Sequence, residues 1–448
     1  MNPSKPRDEV SRLGSADSTP YGEIAFETYL YLYPLMVMEE TRRRSLQRSG
    51  TRDRNLLRHS RTTADHRWRL VARTNIDTLF SSGWIDVSKS PGKLEIPEND
   101  RRFYMFQLLD MWTDTFGVIG SRTVGSEAVL AELVGPDAKT DVSLGDRSAI
   151  SLRCPTNSVW VIGRTAVSSN DDLQAAQEFL SKVWLTSESE SELSFESKQD
   201  APTKFVSPVE AVDSLTTEEF FRQALRLLHR EKSHHSDVSQ LLRIRRLGFD
   251  ISSQTTFPTL PSDALESIET SVWRAKQKIS NSAESRGSRV NGWNYSLDGF
   301  GTWGNDYLRR ATIAKFGLAA NPPEDAVYFS GMLDSDGQRL IGENDYLIRF
   351  NAGEFPPADA FWSITLYDVN GHLFANDYNR YGIRSRDALE ISNEGSLVIL
   401  ISQKPKEGVP IANWIPSCPG RIDLCLRMYS PNQAVFDATW HPPQIIRV

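Results

Sequence analysis

Two patterns of apolar residues divide the chain. Over 21–43 the apolar residues recur at helical spacing, which predicts a helix that Pro34 kinks or interrupts. The charged stretch 43–68 is predicted to be a loop. Helical spacing returns in the middle of the chain, and further helices are predicted over 216–230, 262–279 and 305–318.

Elsewhere the apolar residues form short runs that are rich in aromatic and β-branched side chains and are bounded by turn residues. These runs predict strands over 101–110, 158–167, 360–368, 397–402 and 422–429. Asp336-Gly337 and Asn370-Gly371 are predicted hairpin turns. The predicted fold is mainly β with an inserted helical segment, pairing an N-terminal β-sandwich with a C-terminal jelly-roll-like β domain.

The same changes in apolar pattern and composition predict the domain boundaries. An acidic, Ser-rich stretch separates the first β region from the helices, and its composition cannot bury much surface. The predicted units are a flexible N-terminus (1–20), a β domain with a leading helix (21–186), a linker (187–207), a helical segment (208–320) and a second β domain (321–448).

Charge and cysteine content narrow the class of protein. The chain has 448 residues, with 51 basic and 58 acidic side chains and no long basic run, which argues against nucleic acid or an anionic membrane as a partner. Three cysteines without a C-x-x-C pair predict reduced, buried thiols. No secretory signal or membrane-spanning stretch is visible, so the expected location is the cytoplasm. A small-molecule substrate is the expected partner, and a homo-oligomer stays open.

Two parts of the sequence resemble known families. RTNIDTLF (73–80) through CPTNSVWVIGRT (154–165) resembles the family called domain of unknown function 1254. FPPADAFWSITLYD (355–368), NWIPSCPGRIDLCLRMYSP (413–431) and TWHPPQIIRV (439–448) resemble its usual companion, domain of unknown function 1214. The resemblance implies a β-sandwich followed by a jelly-roll-like domain, with helices between them. Many bacterial members begin with an export signal, and this chain departs from that pattern.

The first candidate site is Arg73, Asn75 and Asp77. At alternating positions of an extended segment, these side chains project to one side and could bind a polar substrate group. The alternative is a turn in which the Asn and Asp side chains satisfy nearby backbone amides.

The second candidate site follows a predicted strand and contains Asp110, Trp112 and Asp114, with Arg122 further along. Two carboxylates four residues apart could act as acid and base, and Trp112 could serve as a shelf for the substrate. The alternative is a structural ion pair between Arg122 and one of the carboxylates.

A third candidate site lies in loops and strand ends of the C-terminal domain, where binding residues concentrate. Its members are Trp362, Tyr367, Asn376, Arg380, Tyr381, Asn413 and Trp414. The alternative is that the Asn side chains simply anchor the loops.

Metal and nucleotide motifs are missing from the sequence. The histidines are scattered, with His234 and His235 in a polar loop, and no histidine-carboxylate spacing typical of a metal site appears. There is also no Gly-rich phosphate loop and no nucleophile elbow, so we expect no cofactor. The aromatic-glycine stretch 292–304 is predicted to be a loop over a cleft.

The leading hypothesis is a cofactor-independent enzyme of secondary metabolism that promotes cyclisation or isomerisation of an apolar, oxygenated terpenoid or polyketide intermediate. Trp112 and Trp414 would shape its pocket, Arg122 or Arg380 would polarise a carbonyl, and Asp114 would orient the donor. A hydrolase of glycosidic or amide bonds, using Asp110 and Asp114 as acid and base, is the second hypothesis. A non-catalytic small-molecule-binding protein is the third.

Overall fold

The structure, a computed structural model, describes residues 20–49, 55–69, 72–139, 149–187, 206–249, 260–282, 287–298 and 300–448. These residues form two β-sandwiches, with a set of helices between them along the chain. The predicted fold class is therefore confirmed. The predicted flexible N-terminus and nearly all of the predicted acidic linker lie outside the described residues. Within the described ranges, no helix combines the length and the apolar character needed to cross a bilayer.

The first helix, α1, runs from Pro20 to Ser49 and continues through Pro34. Every residue over 28–38 is buried. A helix whose middle is apolar all round needs neighbours on every side, and such packing outweighs the poor helix propensity of one proline. The prediction of a loop from residue 43 was therefore wrong for 43–49, and Pro34 does not interrupt the helix.

The N-terminal sandwich buries one apolar core between two sheets. Its elements are β1 (Arg58–His59), β2 (Thr78–Asp86), β3 (Gly92–Ile96), β4 (Tyr104–Leu109), β5 (Thr115–Gly120), β6 (Val129–Val134), β7 (Ala149–Arg153), β8 (Ser158–Ala166), α2 (Leu173–Ser181) and β9 (Trp184–Ser187). One sheet has the order β1-β2-β8-β4-β5 and the other β7-β6-β3-β9. Strand β8 lies at the centre of its sheet, and one face of this strand points away from the core.

Further helices pack around α1. They are α3 (Pro208–Asp213), α4 (Thr217–Arg230), α5 (Val238–Arg246), α6 (Ser262–Asn281) and α7 (Tyr307–Phe316). Helix α4 begins at a capping box formed by Thr216 and Glu219. Three of these helices, α4, α6 and α7, correspond to the predicted ones.

The C-terminal sandwich also encloses one core between two sheets. Its elements are β10 (Ser288–Val290), β11 (Trp293–Tyr295), β12 (Ala326–Gly331), β13 (Tyr346–Phe350), β14 (Ala358–Asp368), β15 (Gly382–Arg384), β16 (Leu397–Ser402), β17 (Trp414–Pro416), β18 (Ile422–Pro431), α8 (Gln433–Phe436) and β19 (Ile445–Arg447). The sheet orders are β10-β11-β12-β18-β14-β15 and β17-β16-β13-β19. Gly337 and Gly371 have the positive φ that their predicted turns require.

The two sandwiches contact each other through the outer face of one sheet from each. Phe103 of the first packs edge-on against Phe361 of the second, with ring centroids 5.5 Å apart, and Phe361 stacks on Tyr429. The two β domains are therefore joined by a packed interface as well as by the chain between them.

Candidate functional site

The predicted acid pair lies on a tight turn between β4 and β5. One oxygen of Asp110, Oδ1, accepts hydrogen bonds from the backbone N–H groups of Trp112 (2.9 Å) and Asp114 (3.0 Å). Between them Thr113 is buried with φ at +72°, a conformation that costs energy for a β-branched residue. The turn thus fixes both carboxylates on one side of the sheet edge.

His234, from the loop after α4, lies between the two carboxylates. Its Nε2 is 2.5 Å from Oδ2 of Asp110, and its Nδ1 is 3.4 Å from Oδ2 of Asp114. The side chain of His234 is 20% exposed, whereas that of Asp110 is only 1% exposed. The imidazole is therefore the member of this group that solvent reaches most readily.

A buried cation completes the cluster. Arg310 of α7 is fully buried, with its Nη2 3.2 Å from Oδ2 of Asp114 and its Nη1 3.6 Å from Asp237. Tyr307 donates a hydrogen bond to Asp237 (2.9 Å). The backbone N–H of Trp303 donates to the other oxygen of Asp114 (2.7 Å). Three stretches of the chain, 110–114, 234–237 and 303–310, thus meet at one network of alternating charge.

This environment raises the pKa of Asp114 and of His234. Burial, together with the negative charge of Asp110, raises the pKa of Asp114 to about 6, although Arg310 and His234 oppose the rise. For His234, burial alone would lower the pKa, but the hydrogen bond and charge of Asp110 and the charge of Asp114 raise it overall. A carboxyl group and an imidazole that lie side by side, each with a raised pKa, can exchange a proton.

Asp110, Asp114 and His234 place possible metal-ligand atoms within 4.8 Å of one another, a grouping that their spacing in the sequence did not reveal. Spacing along the sequence could not show this grouping, because His234 is distant from both aspartates in the chain. However, each ring nitrogen of His234 faces a different carboxylate, so a single ion cannot use both contacts. Arg310 already brings positive charge to Asp114. This donor set suits a hydrogen-bonded relay better than a metal centre.

Trp112 does not form a shelf for a ligand. It is fully buried, stacks on Tyr31 with ring centroids 4.6 Å apart, and donates from Nε1 to the carbonyl of Lys232. Because Lys232 is two residues before His234, Trp112 holds the loop that carries the imidazole. Its position in the apolar core of the helices corrects the predicted role in substrate contact.

Arg122 lies away from both acids. It forms two parallel bonds to Asp325 of the second sandwich, 2.8 and 2.9 Å long. Neither the predicted catalytic role nor the alternative pairing with Asp110 or Asp114 matches this geometry. Arg122 fixes one sandwich against the other.

The first predicted cluster forms a turn that is attached to the second sandwich. Asn75 accepts hydrogen bonds from the backbone of Asp77 and Thr78 and donates to Tyr429. Asp77 is fully buried and accepts a bond from Ser363 (2.7 Å). The alternative of local turn bonding is thus observed for Asn75.

Arg73, from the same cluster, has φ at +55° and pairs with Asp423 (2.9 Å). Its partner belongs to β18. All three residues of this cluster therefore lie where the sandwiches meet.

In the third predicted cluster, the loop residues mainly hold loops. Asn376 closes its own loop with bonds to Phe374 and Arg380, and Asn413 bonds twice to the backbone of Glu390. Arg380 donates to the carbonyls of 411 and 412. These contacts match the alternative in which side chains anchor the backbone, and Arg380 takes part in that anchoring.

The aromatic members of that cluster are buried in separate places. Trp362 is part of the C-terminal core, and Trp414 donates to the backbone and side chain of Ser402. Tyr367 donates to the carbonyl of Thr74, and Tyr381 bonds to His66. Trp414 is 1% exposed and Trp112 is fully buried, and they lie in different parts of the fold, so they do not shape a common pocket.

Sequence reasoning missed His234, Asp237, Trp303, Tyr307 and Arg310. The predicted loop over a cleft contains Trp293 and Trp303, and both are buried, Trp293 in β11 and Trp303 beside Asp114. The signal for His234 was weak, because 124 positions separate it from Asp110. A polar loop directly after a capped amphipathic helix was the one available hint.

Two parts of the chain match known protein families. The family model described as Protein of unknown function (DUF1254) matches residues 54–187, and that of Protein of unknown function (DUF1214) matches residues 325–433. The chain pairs a DUF1254 region with a DUF1214 region. Asp110 and Asp114 lie inside the DUF1254 match, while His234 and Arg310 lie between the two matches. A search of curated proteins found no significant match.

Solved structures extend the DUF1254–DUF1214 comparison to the fold. The VPA0106 protein from Vibrio parahaemolyticus is 20% identical, with a TM-score of 0.70, and the alignment covers 96% of this chain and 100% of that one. A protein from Burkholderia cenocepacia is 11% identical, with a TM-score of 0.44 and 92% coverage of each chain. The first likeness shows that the two-sandwich architecture is shared.

Proposed function

We propose that this protein is a cytoplasmic enzyme that moves protons on a small, apolar, oxygenated intermediate of secondary metabolism, promoting isomerisation or cyclisation without a cofactor. The observation that carries the proposal is the placement of His234 between two buried carboxylates. Three free, buried cysteines accord with a reducing compartment.

In this proposal each group has a role. Asp110 makes the short contact to Nε2 and fixes the orientation of the ring. The 3.4 Å separation between Nδ1 and Asp114 is the weak contact, so a substrate group can take its place. His234 then removes a proton from one atom of the substrate while protonated Asp114 supplies one to another, and the net proton count is unchanged. Arg310 stabilises Asp114 once it is ionised.

This arrangement favours proton relay over the hydrolase hypothesis. An acid/base pair that cleaves a glycosidic bond needs room for the substrate and water between the carboxylates. Here the imidazole of His234 occupies that space, and both acids are buried.

The test is incubation of the purified protein with a panel of reactive linear terpenoid and polyketide precursors in D₂O, followed by mass spectrometry. The wild type should yield an isomeric product that carries deuterium. His234→Gln should slow its formation at least about a hundredfold, because general acid–base catalysis contributes on that order. His441→Gln, which alters an exposed histidine, should leave the rate unchanged.

Equal rates for His234→Gln and the wild type would overturn the proposal. So would a reaction that stops on chelation of divalent metal or that requires added nicotinamide. Absence of any product across the panel, with the protein folded, would also count against catalysis.

A further inference from the structure

Charged side chains from both sandwiches lie on the surface where the two sandwiches meet. We call this surface the inter-sandwich seam and define it by the outward side chains of β2, β4, β8, β12, β14 and β18 and by the residues 73–77, 320–321 and 386 that contact them. Its charged residues include Arg73, Arg164, Arg386, Arg427, Asp77 and Asp423.

Arg427 lies in the middle of β18 and is 3% exposed. It donates to the hydroxyl of Thr365 and to the carbonyl of Arg73, and its guanidinium lies 5.9 and 5.6 Å from the ring centroids of Tyr328 and Tyr367. Within the described part of the chain, no carboxylate makes a salt bridge with it. A buried cation without an anion is rare, because desolvation is costly unless opposite charge compensates.

Arg164 faces Arg427 from the other sandwich. It lies on the central strand β8, with its guanidinium 5.3 Å from the ring of Phe80. No hydrogen bond links it to a described residue, and its buried Nε has no partner. Arg164 nevertheless keeps partial solvent exposure.

Tyr328 connects the two cations. Burial raises the pKa of Tyr328, and the charges of Arg164 and Arg427 both oppose that rise, so both guanidinium groups act on this phenol. Tyr328 also accepts a hydrogen bond from the amide of Asn321 (2.6 Å). The seam therefore brings together a flat aromatic surface and two cations that make no salt bridge with a described carboxylate.

Two buried acceptors complete the lining. Oδ1 of Asn321 and Oε1 of Gln107 have no hydrogen-bond partner, and both residues are almost fully buried. Gln107 donates to the carbonyl of Ala320, so the two amides are neighbours. An anion with many oxygens would be repelled by these acceptors, whereas a hydroxyl group could donate to them.

We propose that the inter-sandwich seam binds a small hydroxylated organic carboxylate. Its carboxylate lies between Arg164 and Arg427, its flat apolar part lies against Phe80 and Tyr328, and its hydroxyl group donates to the free amide oxygens of Asn321 and Gln107. The proposal does not depend on the His234 site, because it uses none of that site's residues.

The test uses the full chain and para-hydroxybenzoate as the probe, with isothermal titration calorimetry and thermal unfolding at constant ionic strength. We expect saturable binding and a rise in Tm. Arg164→Gln should weaken binding at least about tenfold, because it removes a charge-assisted contact. It should still fold, since Arg164 makes no hydrogen bond to any residue that the structure describes. Arg164→Lys should weaken binding less.

Arg245→Gln, on the exposed face of α5, is the matched control and should bind like the wild type. Three results would overturn the proposal. They are no saturable binding by the folded wild type, equal affinity for Arg164→Gln and the wild type, and equal binding of the neutral analogue para-hydroxybenzamide. A response to inorganic phosphate in the absence of one to the carboxylate would overturn the assigned ligand class.

Discussion

Asp114 shows how neighbours set the chemistry of one carboxyl group. One oxygen receives the backbone N–H of Trp303, while the other meets Arg310 and His234. Despite these favourable contacts, burial and the charge of Asp110 keep its pKa high. Hydrogen bonds therefore fix the position of the Asp114 side chain, while its surroundings disfavour its ionised form.

A dependence of stability on pH follows. The pKa of Asp114 is about 6 in the folded protein against an ordinary value of 3.8, so the folded state holds this proton more tightly than the unfolded chain does. Between these pH values the group makes the free energy of unfolding fall as pH rises. Asp114→Asn removes this contribution, and Asn retains an oxygen for the Trp303 amide.

Urea denaturation at several pH values between 3.8 and about 6 checks this expectation. The difference in unfolding free energy should shift in favour of Asp114→Asn as the pH rises. A difference that stays constant over this interval would contradict the raised pKa.

At this scale the sequence revealed one half of the candidate site. Asp110 and Asp114 were visible because a short turn places them on one side. Arg310 was not, because it lies 196 residues after Asp114 and only packing of α7 against the sheet edge brings it there. Arg122 was misassigned for the same reason, since its partner Asp325 is 203 residues away.

Among the local elements, the turn between β4 and β5 combines strain with precise hydrogen bonding. Thr113 adopts a left-handed conformation, and its buried hydroxyl has no hydrogen-bond partner in the described structure. Backbone strain of this kind is often found at functional sites, where it fixes the geometry of neighbouring groups.

Thr113→Gly should raise the free energy of unfolding by about 0.5–1 kcal/mol. Glycine accepts positive φ without the steric cost, and this gain exceeds the extra flexibility of the unfolded chain. The buried, unpaired hydroxyl also disappears. Chemical denaturation measures the change, and a loss of stability would show that packing of the threonine side chain matters more than the strain.

Element types were predictable where the pattern was long and regular, as in α4 and α6. The end of α1 was not predictable in this way, because the charges after residue 43 indicated a loop. Arg42, Arg43 and Arg44 instead pair with Glu39 and Glu40 on the same helix, which extends it through local salt bridges.

For the whole molecule, the aromatic cluster around Phe361 packs part of the interface between the sandwiches as a core is packed. Phe361 is 3% exposed, stacks on Tyr429, and lies 3.9 Å beneath the guanidinium of Arg386. Phe361→Ala should therefore lower the free energy of unfolding by about 3–5 kcal/mol, as for a core phenylalanine.

Guanidinium denaturation provides the measurement, with Phe316→Ala as the control. Phe316 is 55% exposed, and its loss should cost less than about 1 kcal/mol. Similar small losses for both variants would show that the interface contributes little to stability.

The architecture was the most predictable level, because alternating apolar strands and turn residues specify sandwiches locally. Whether the outer sheet faces would be covered was not visible from the same pattern. Arg164 and Arg427 look like solvent-facing residues of their strands, and only the docking of one sandwich on the other buries their surroundings.

The position of α1 also affects how the chain folds as it is made. The hydroxyl of Tyr31 bonds to Ser233, which follows 202 residues later, and α6 and α7 come later still. On the ribosome, this apolar helix emerges long before the helices that cover it have been translated. A nascent chain that stalls before α6 would leave the apolar surface of α1 exposed to solvent. We therefore expect chaperones to bind the newly synthesised protein at this stage.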